Sequence, residues 1–571
     1  MEDQNIQYMW PATWKKPAIF GSKGAISSNN VYATMSGLEI LEKGGNAIDA
    51  AVAVSLTLAV VEPHHSGLGG GCFSLLYLNN GETIEAIDAR GIAPQNAKKD
   101  LFLKNGIVQN SWKDIGGQSV AVPGLYRALD IMLKKYGTMT LEEVSKSAIS
   151  YARNGYSVSY TGSITMPDDS VQRKIKLSED FVKLYLKPDK SYYKFGEIIK
   201  NEELANTIET VSKNGVDIFY QGSFAEIIVK EINNRGGIFT LEDLKNYQPK
   251  FRTPIKSSYR DHEILTFSPP SGGCALVEML NILENFDLRS LGHNSADSIH
   301  IISEAMKLGF ADRSIAMGDP DFVNVNVEKL TSKEFAKLRA QLINMKMASE
   351  YAAASEIEAK NYPGNTSHFS IMDSYGNVVS QTQTIRDWFG SGIIAKGLGF
   401  VLNNAMSDFS ALEGAVTSQG LTYGSANSIE GGKTPLSSMC PTIVLKNGAP
   451  FLAIGAAGGP RIITGTLQGI LNAIDYDMTP EELVRMPYVT SLTKEQGLEL
   501  EAGISIDTIK KLEEKGHKIN YTPKHEVLIC MLNSVMKIEG DFYPNATGRV
   551  DGCGGVVTAE NSILLDGIVK V

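Results

Sequence analysis

The sequence lacks the features that mark nucleic-acid-binding and membrane proteins. It has no basic excess, because 54 lysines and arginines are set against 64 aspartates and glutamates, for a formal net charge of −10. Phosphate binding needs a basic face, so we expect no nucleic-acid partner. The longest apolar run, residues 50–61, includes Ser55 and Thr57. It falls short of the about 20 residues that a membrane-spanning helix needs, so no membrane partner is expected.

Cysteine and histidine are also sparsely arranged. The five cysteines form no C-x-x-C pair, and none of the eight histidines belongs to an H-E-x-x-H motif. Scattered cysteines in odd number are typical of a reducing compartment. We therefore expect no metal, no other cofactor and a cytoplasmic location. The start of the chain, MEDQN, is acidic and polar, unlike a signal peptide.

The remaining composition, 43% hydrophobic and 21% charged, is that of an ordinary soluble globular protein. At 571 residues the chain exceeds the size at which one hydrophobic core normally stops growing. Two domains, or one large layered domain assembled from two halves, both satisfy this length.

Helix and strand signals alternate along the chain and predict a mixed α and β protein. Asn30 is expected to cap a helix that ends near Lys43, and a second helix is expected over 48–61. Capping signals recur at Thr140, Thr240 and Thr479. Strands are expected at 73–78, 264–267 and 441–445.

The segment after residue 366 predicts a β-hairpin. Residues 367–372 and much of 379–385 alternate between polar and apolar, and the turn cluster DSYGN lies between them at 373–377. A three-residue loop there places Thr366 opposite Thr384 and His368 opposite Thr382. Opposed residues have Cβ atoms about 4.5–5.5 Å apart, so the two threonine hydroxyls would come within hydrogen-bonding reach. A slip of one residue is the alternative register.

Seven short segments are distributed over nearly the whole chain: GGNAIDAA at 44–51, DARGIAP at 88–94, ADRS at 311–314, GNTSHFS at 364–370, LNNAMSDFS at 402–410, PLSSM at 435–439 and GAAGGPR at 455–461. In sequence and in order, this set resembles the γ-glutamyltranspeptidase family. The resemblance implies an α+β fold, the four-layer αββα sandwich of the N-terminal-nucleophile hydrolases. It also implies self-cleavage after Asn365 into a large subunit, 1–365, and a small subunit, 366–571. The subunits would stay associated, since each would hold half of one core.

The resemblance also implies a catalytic set. Thr366, the new N-terminus, would attack an amide carbonyl and form an acyl-enzyme, with Thr384 hydrogen-bonded to its hydroxyl. The free α-amine would act as the base, because it titrates near pH 8, whereas a peptide nitrogen is not basic. Backbone N–H groups of Gly458 and Gly459 would form the oxyanion hole.

Other matched residues imply the substrate. Arg90, Ser437 and Ser438 match the residues that bind the α-carboxylate of a glutamyl group, and Asp408 matches the carboxylate that holds its α-ammonium. The planar fork of an arginine suits bidentate carboxylate binding. The implied activity is that of a γ-glutamyltransferase or glutathione hydrolase. Its donor would be a small acidic amide, and its acceptor water, an amino acid or a peptide.

Two positions depart from the family pattern. Arg386 stands where the family has Asn, and Ala405 where it usually has Gln or Glu. At about 4 Å, a guanidinium repels an α-ammonium by about 1 kcal/mol in water and by several times more in a partly desolvated pocket. Arg386 would avoid this conflict by swinging out or by pairing with Asp387 or Asp408.

Two alternatives follow from these departures. An acylase or amidohydrolase for glutaryl- or oxamate-like amides that lack an α-ammonium is the first. An inactive relative that acts as a binding protein is the second.

Three other segments carry predictions. The glycine-rich run at 67–71 lacks the lysine of a phosphate loop, so we expect it to pack backbone closely. The polar, alanine-rich stretch at 348–363 is predicted to be a linker. The segment between Asp408 and Ser437 contains several glycines and is predicted to form a loop over the site.

Overall fold

A computed structural model of the chain describes residues 18–351, 365–412, 424–521 and 529–566. Most of the predicted linker, 352–363, lies outside these ranges, and so does the middle of the predicted loop, 413–423. Within the described residues, no helix is both long enough and apolar enough to cross a membrane.

The strands before residue 365 are β1 Gly24–Ser28, β2 Gly71–Leu78, β3 Thr83–Ala89, β4 Leu103–Lys104, β5 Ile107–Val108, β6 Tyr156–Ser157, β7 Ile198–Ile199, β8 Lys250–Arg252, β9 Ile255–Tyr259 and β10 His262–Thr266. Those after it are β11 Ser367–Asp373, β12 Val378–Thr384, β13 Thr442–Lys446, β14 Ala449–Ala457, β15 Val489–Ser491, β16 Leu498–Leu500, β17 Ile519–Tyr521, β18 Met531–Ile538, β19 Asp541–Ala546, β20 Cys553–Val557 and β21 Ile563–Leu565.

The helices before residue 365 are α1 Val31–Glu42, α2 Ala47–Val61, α3 Asn110–Asp114, α4 Leu125–Tyr136, α5 Leu141–Asn154, α6 Tyr160–Thr165, α7 Asp169–Ile175, α8 Glu179–Tyr185, α9 Glu202–Asn214, α10 Asp217–Tyr220, α11 Ser223–Asn233, α12 Leu241–Lys245, α13 Gly273–Leu283, α14 Leu288–Leu291, α15 Ala296–Ala316, α16 Val327–Leu330 and α17 Lys333–Ala340. Those after it are α18 Arg461–Ile474, α19 Pro480–Arg485 and α20 Ile506–Glu514.

Two large antiparallel sheets form the centre of the molecule. Among the described residues, one has eight strands in the order β21-β20-β1-β11-β12-β2-β3-β8, and the other has six in the order β19-β18-β14-β13-β10-β9. The sheets face each other through β11, β12, β14 and β18. Helices α1 and α2 pack on the outside of the larger sheet, and α13 and α18 on the outside of the smaller one. The chain therefore has the predicted α+β architecture, a four-layer αββα sandwich.

Strand β2 shows why both faces of the larger sheet are buried. Side chains that alternate along β2 belong to two separate hydrophobic cores, Phe73, Leu75 and Tyr77 to the one between the sheets and Cys72, Leu76 and Leu78 to the one under the helices. Phe73 stacks across the sheets on Phe267 with ring centroids 4.5 Å apart. A strand with two buried faces gains apolar burial from every residue, which fixes its place in the centre of the sandwich.

Local sequence signals predicted many of these elements. Asn30 caps α1 by accepting from the backbone N–H of Tyr32, and α2 begins one residue before its predicted start. Thr140, Thr240 and Thr479 each form a complete capping box with the acidic residue three positions later. The three predicted strands correspond to β2, β10 and β13, with ends that shift by one or two residues.

The predicted hairpin is confirmed in its register. His368 pairs with Thr382 and Ser367 with Gln383, which excludes the slipped alternative. The turn closes with the N–H of Asp373 donating to the carbonyl of Asn377 at 3.1 Å, and Gly376 has a φ of 84°. The hairpin lies between β1 and β2 in the larger sheet, so its register is also fixed by both neighbours.

The glycine-rich run at 67–71 packs closely against backbone, as expected. A Cβ on Gly70 would lie 2.3 Å from the carbonyl oxygen of Thr384, and one on Gly69 would lie 2.2 Å from that of Val401. Real side chains do not approach this closely, so any larger residue would push the end of β12 away. The run therefore sets the position of Thr384.

We predict that Gly70→Ala lowers the thermal unfolding midpoint while Gly67→Ala does not. Overpacking costs about 1–3 kcal/mol, whereas the nearest atom to a Cβ on Gly67 is 3.9 Å away. Circular dichroism melts of both variants beside the wild type test this. Equal midpoints for the two variants would contradict the close packing of Gly70 against Thr384.

Candidate active site

A pocket at the ends of the central strands brings together most of the residues that the sequence singled out. We call it the Thr366 pocket. Its lining includes Arg90, Asn365, Thr366, Thr384, Arg386, Asp408, Ser437, Ser438 and Gly459, with Leu436, Met439 and Ile462 as its apolar part. Residues far apart in sequence thus converge on one small volume where β3, β12 and β14 end.

Thr366 lies one residue before β11 and is buried, with 4% of its surface exposed. Its hydroxyl contacts the carbonyl oxygen of the preceding residue, Asn365. The Thr366 hydroxyl also donates to the Thr384 hydroxyl at 3.3 Å, and Thr384 donates to the same Asn365 carbonyl at 3.1 Å. Two hydroxyls therefore converge on the carbonyl group of the peptide bond that joins residues 365 and 366.

The backbone of Thr366 is held by side chains that the sequence did not single out. Its carbonyl oxygen accepts from Nδ1 of His65 at 3.2 Å and from Nδ2 of Asn29 at 3.4 Å. Since a carbonyl only accepts, Nδ1 of His65 carries the proton. Burial lowers the pKa of His65 to about 4, so this imidazole is neutral at physiological pH. The sequence carried no signal for His65 beyond its absence from any H-E-x-x-H motif.

Ser367, the residue after Thr366, is hydrogen-bonded to a buried carboxyl group. Ser367 donates its hydroxyl to Oε2 of Glu62 at 2.6 Å, and Glu62 has 2% of its surface exposed. Burial raises the pKa of Glu62 to about 8; the Ser367 hydrogen bond opposes this rise and the charge of Asp551 adds to it. Glu62 is therefore mainly protonated at neutral pH. Nothing in the local sequence distinguished it from an ordinary helix-terminal glutamate.

Gly458 and Gly459 lie between strand β14 and helix α18. Their φ angles are 143° and 61°, values that residues with a Cβ rarely adopt. The segment leads directly into the first turn of α18, where the helix dipole favours negative charge. This location suits stabilisation of a developing oxyanion.

Asp408 is bound by two arginines at once. Nη2 of Arg90 donates to its Oδ2 at 2.6 Å, and Nε of Arg386 donates to its Oδ1 at 3.0 Å. Among the described residues, Nε and Nη1 of Arg90 have no hydrogen-bond partner, although Arg90 has only 2% of its surface exposed. Asp408 thus takes one N–H of Nη2, and the donors on Nε and Nη1, which lie on different edges of the Arg90 guanidinium, are left without a partner in the described part of the chain.

Arg386 is turned into the pocket and held there by acidic groups. It pairs with Asp387 and Asp408, and Asp114 lies 4.0 Å from its Nη1. Burial alone would lower the pKa of Arg386, but these three carboxylates raise it. Its backbone N–H donates to the Thr384 hydroxyl at 2.9 Å, and its φ is 81°. Of the two alternatives, swinging out and pairing with Asp387 or Asp408, the second is observed.

Ser437 and Ser438 form another part of the lining of the Thr366 pocket. The Ser437 hydroxyl accepts from the N–H of Met439 at 3.2 Å, and its carbonyl accepts from Nη2 of Arg313 at 3.0 Å. Arg313 is fully buried and belongs to the ADRS segment. The hydrogen bond from Arg313 therefore fixes the backbone of the serine pair.

A metal site is not favoured by the clustered histidines. Within the described ranges, His300, Glu304 and His517 have ligand atoms within 4.8 Å of one another. Nδ1 of His300 is hydrogen-bonded to Nε2 of His517 at 2.8 Å, and its Nε2 donates to the Asn344 carbonyl at 2.8 Å. Glu304 is paired with Lys307 at 2.6 Å. These groups already satisfy each other, and a bound ion would have to break their hydrogen bonds.

Comparison with known proteins gives matches to one family over most of the chain. The family model described as Gamma-glutamyltranspeptidase matches residues 33–556. The glutathione hydrolase proenzyme of Escherichia coli (strain K12) is 40% identical over 508 residues, 87% of this chain and 86% of that protein. The acylase ACY 1 proenzyme of Pseudomonas sp. (strain SE83) is 35% identical over 547 residues, 94% of each. The solved cephalosporin acylase of Bacillus halodurans has a TM-score of 0.84 at 26% identity, covering 95% of this chain and 98% of that one.

We predict a pH-dependent stability that originates at Glu62. A carboxyl whose pKa rises from 4.5 to about 8 on folding stabilises the fold fully below pH 4.5. This stabilisation is lost as the pH rises toward 8, because the unfolded chain releases the proton first. Glu62→Gln keeps an uncharged acceptor for Ser367, so it should match the wild type at pH 5 and melt about 2–4 °C higher at pH 8.5.

Glu226→Gln is the matched control, since Glu226 is exposed. Its melting midpoint should follow the wild type at every pH. Parallel curves for the wild type and Glu62→Gln would show that Glu62 does not hold its proton in the folded state.

Proposed function

Since the chain belongs to the γ-glutamyltranspeptidase family, we propose that it is a self-processing N-terminal threonine hydrolase or acyltransferase. It would cleave amides of small acidic acyl groups through an acyl-Thr366 intermediate, as a γ-glutamyltransferase or glutathione hydrolase does. The observation that carries the proposal is the convergence of the Thr366 and Thr384 hydroxyls on the Asn365 carbonyl. A cytoplasmic location remains part of this proposal.

The first step is self-cleavage. The Thr366 hydroxyl oxygen attacks the carbonyl carbon of Asn365, while Thr384 donates a hydrogen bond to the carbonyl oxygen as negative charge develops there. The bond from that carbon to the Thr366 nitrogen breaks, and the hydroxyl proton ends on the nitrogen. The resulting ester is hydrolysed by water, which leaves an Asn365 carboxylate and a free Thr366 amine.

Catalysis then uses the amine that cleavage has released. It takes the proton from the Thr366 hydroxyl as the oxygen attacks the substrate amide, and the oxyanion lies against the N–H groups of Gly458 and Gly459. The proton passes to the departing amine, which leaves an acyl ester on Thr366. Water or an amine acceptor releases the acyl group by the reverse sequence.

We assign to Arg90 the binding of the carboxylate of the acidic acyl group. Each of the two donor edges of its guanidinium includes Nη2, which binds Asp408. Nε lies on one edge and Nη1 on the other, both without a partner among the described residues, so a substrate carboxylate would bind one of them together with the second N–H of Nη2. Ser437 and Ser438 line the same pocket and add hydroxyl donors.

An acylase for acyl groups without an α-ammonium is the second candidate. It is favoured by the contact between Arg386 and Asp408, because an ammonium would have to compete with two guanidinium groups for one carboxylate. The related acylase proenzyme and cephalosporin acylase support this candidate without identifying the acyl group. An inactive binding protein would require an uncut chain.

We predict that freshly purified wild-type protein contains fragments 1–365 and 366–571, the smaller beginning TSHF. Thr366→Ala removes the attacking oxygen and should remain a single chain. Intact mass and N-terminal sequencing measure this. Thr382→Ala, in the same hairpin, is the control for a lost strand threonine and should still be cut. A wild-type chain that stays intact after long incubation would overturn the proposal and leave the inactive relative.

We also predict that Arg386→Asn raises kcat/KM for γ-glutamyl amides by about five- to tenfold relative to glutaryl amides. The reason is the loss of a repulsion of about 1 kcal/mol or more between the guanidinium and the α-ammonium. The panel consists of γ-glutamyl, glutaryl and oxamate amides of one chromogenic amine.

Arg153→Asn serves as the control, because Arg153 is partly exposed and forms ion pairs with Glu202 and Glu209 outside the pocket. No change, or a loss, in γ-glutamyl activity for Arg386→Asn would mean that Arg386 does not discriminate between these acyl groups.

A further inference from the structure

Thr366 lies just outside the end of the hairpin ladder. Strand β11 begins at Ser367, and the ladder with β12 begins with the pair Ser367 and Gln383. In the uncut chain, the peptide bond to Asn365 fixes the other side of Thr366. The proposed cleavage removes that bond, and chain termini are poorly ordered unless they are tied down. The nucleophile of the processed enzyme therefore needs an anchor of its own.

The backbone carbonyl of Thr366 provides such an anchor, because two buried side chains donate to it. They are Nδ1 of His65, at 3.2 Å, and Nδ2 of Asn29, at 3.4 Å. His65 and Asn29 each have 1% of their surface exposed, so water competes little for these donors. Both residues precede the scissile bond. After cleavage, the large subunit would therefore hold the nucleophile of the small subunit through these two hydrogen bonds.

The amide of Asn29 is oriented by a chain of hydrogen bonds that links the two sheets. Its Oδ1 accepts from Nδ2 of Asn533 in β18, and that Nδ2 also donates to the carbonyl of His368 at 3.1 Å. Ser27 in β1 donates to Oδ1 of Asn533 at 3.2 Å, which fixes the amide of Asn533 in turn. A side-chain amide has one acceptor oxygen and one donor nitrogen. Since the oxygen of Asn29 is engaged by Asn533, its nitrogen is directed to Thr366.

His65 is fixed through both of its backbone polar groups. Its N–H donates to the carbonyl of Glu62, just past the end of α2, at 2.9 Å, and its carbonyl accepts from the N–H of Ile385 at 3.2 Å. Ile385 directly follows Thr384 in the chain. His65 thus contacts Thr366 through its side chain and the neighbour of Thr384 through its backbone. One residue therefore holds the two threonine segments together.

We propose that His65 and Asn29 are positioning residues, which hold Thr366 in place for attack once cleavage has made it a chain terminus. This inference rests on the proposed function. Reacting atoms have to be held about 3–3.5 Å apart, and a loose terminus would lower the fraction of molecules in which the hydroxyl reaches the substrate carbonyl. Neither residue is among the described residues that line the Thr366 pocket. Their loss is therefore expected to lower kcat and to leave the affinity for the acyl group unchanged.

Two substitutions of His65 separate its donor from the space that it fills. Asparagine places Nδ2 close to the position of the histidine Nδ1, so His65→Asn keeps a donor to Thr366. Leucine has nearly the shape of asparagine but no donor, so His65→Leu leaves a similar space and loses the hydrogen bond. We expect His65→Leu to lower kcat about tenfold, the effect of one lost hydrogen bond, and His65→Asn to stay within about twofold of the wild type.

The measurement uses whichever chromogenic amide the wild type cleaves faster, γ-glutamyl or glutaryl, with L-glutamate or glutarate as the matching inhibitor. The inhibition constant of that free acid should be the same in all variants. Asn29→Asp keeps the oxygen that accepts from Asn533 and loses the donor to Thr366, so its kcat should fall at least as much as that of His65→Leu. Asn30→Asp is the matched control, because Asn30 is adjacent and buried and an aspartate keeps the cap on the N–H of Tyr32. Its kcat should be unchanged.

A wild-type chain that stays uncut, or that is cut but cleaves neither amide, would overturn the proposed function itself. With an active wild type, an unchanged kcat in His65→Leu would overturn the positioning role alone. Equal losses in His65→Leu and His65→Asn would do the same, because they would indicate packing, and so would weaker inhibition by the free acid. If His65→Leu stays uncut, a cut His65→Asn supports the anchor and an uncut one contradicts it. If neither variant of His65 folds, the comparison of Asn29→Asp with Asn30→Asp decides in the same way.

Discussion

The pairing of β11 with β12 is the constraint on which the Thr366 pocket depends. Successive side chains of a strand point to opposite faces, so a slip of one residue would exchange the surroundings of Thr366 with those of Ser367. In the observed register, the Ser367 hydroxyl donates a hydrogen bond to the carboxyl group of Glu62. The Thr366 hydroxyl donates to the Thr384 hydroxyl instead. Because β11 also pairs with β1 and β12 with β2, a slip of either hairpin strand would break two ladders at once. The position of one hydroxyl is thus set by the whole sheet.

The same hairpin gives the Thr384 hydroxyl two hydrogen-bond partners, and the proposed cleavage removes only one of them. In the continuous chain, its hydroxyl lies between the Thr366 hydroxyl and the Asn365 carbonyl. Under the proposed cleavage that carbonyl becomes a carboxylate on a separate chain end, which is free to leave. Thr384 would then keep its hydrogen bond with the Thr366 hydroxyl. Its own hydroxyl would still accept from the backbone N–H of Arg386. One arrangement thus serves both processing and turnover, without a rearrangement of the sheet.

Local signals in the sequence were sufficient for the elements and for the hairpin. A capping box needs four residues and a turn needs five, so Thr140, Thr479 and Gly376 could be assigned without tertiary information. The layered architecture and the roles of the site residues came from the resemblance, whereas the hairpin spacing alone placed Thr384 opposite Thr366. Glu62 and His65 were missed because their roles depend on burial against residues 300 or more positions away. No local pattern encodes a contact of that range.

The charge balance of the Thr366 pocket shows how an acyl group would be selected. Arg90 and Arg386 face Asp408, Asp387 and Asp114, and Lys113 is buried close enough for Arg386 to lower its pKa, after burial itself. Lys174 is a further buried cation that interacts with Asp387 and Asp114, and burial lowers its pKa to about 8. An incoming carboxylate would accept from the unpartnered N–H groups of Arg90. An incoming ammonium meets a carboxylate that is already bound on both oxygens, and must displace a guanidinium to reach it. To bind the α-ammonium of a substrate in this pocket, the free energy of the contact between Arg386 and Asp408 would therefore have to be given up.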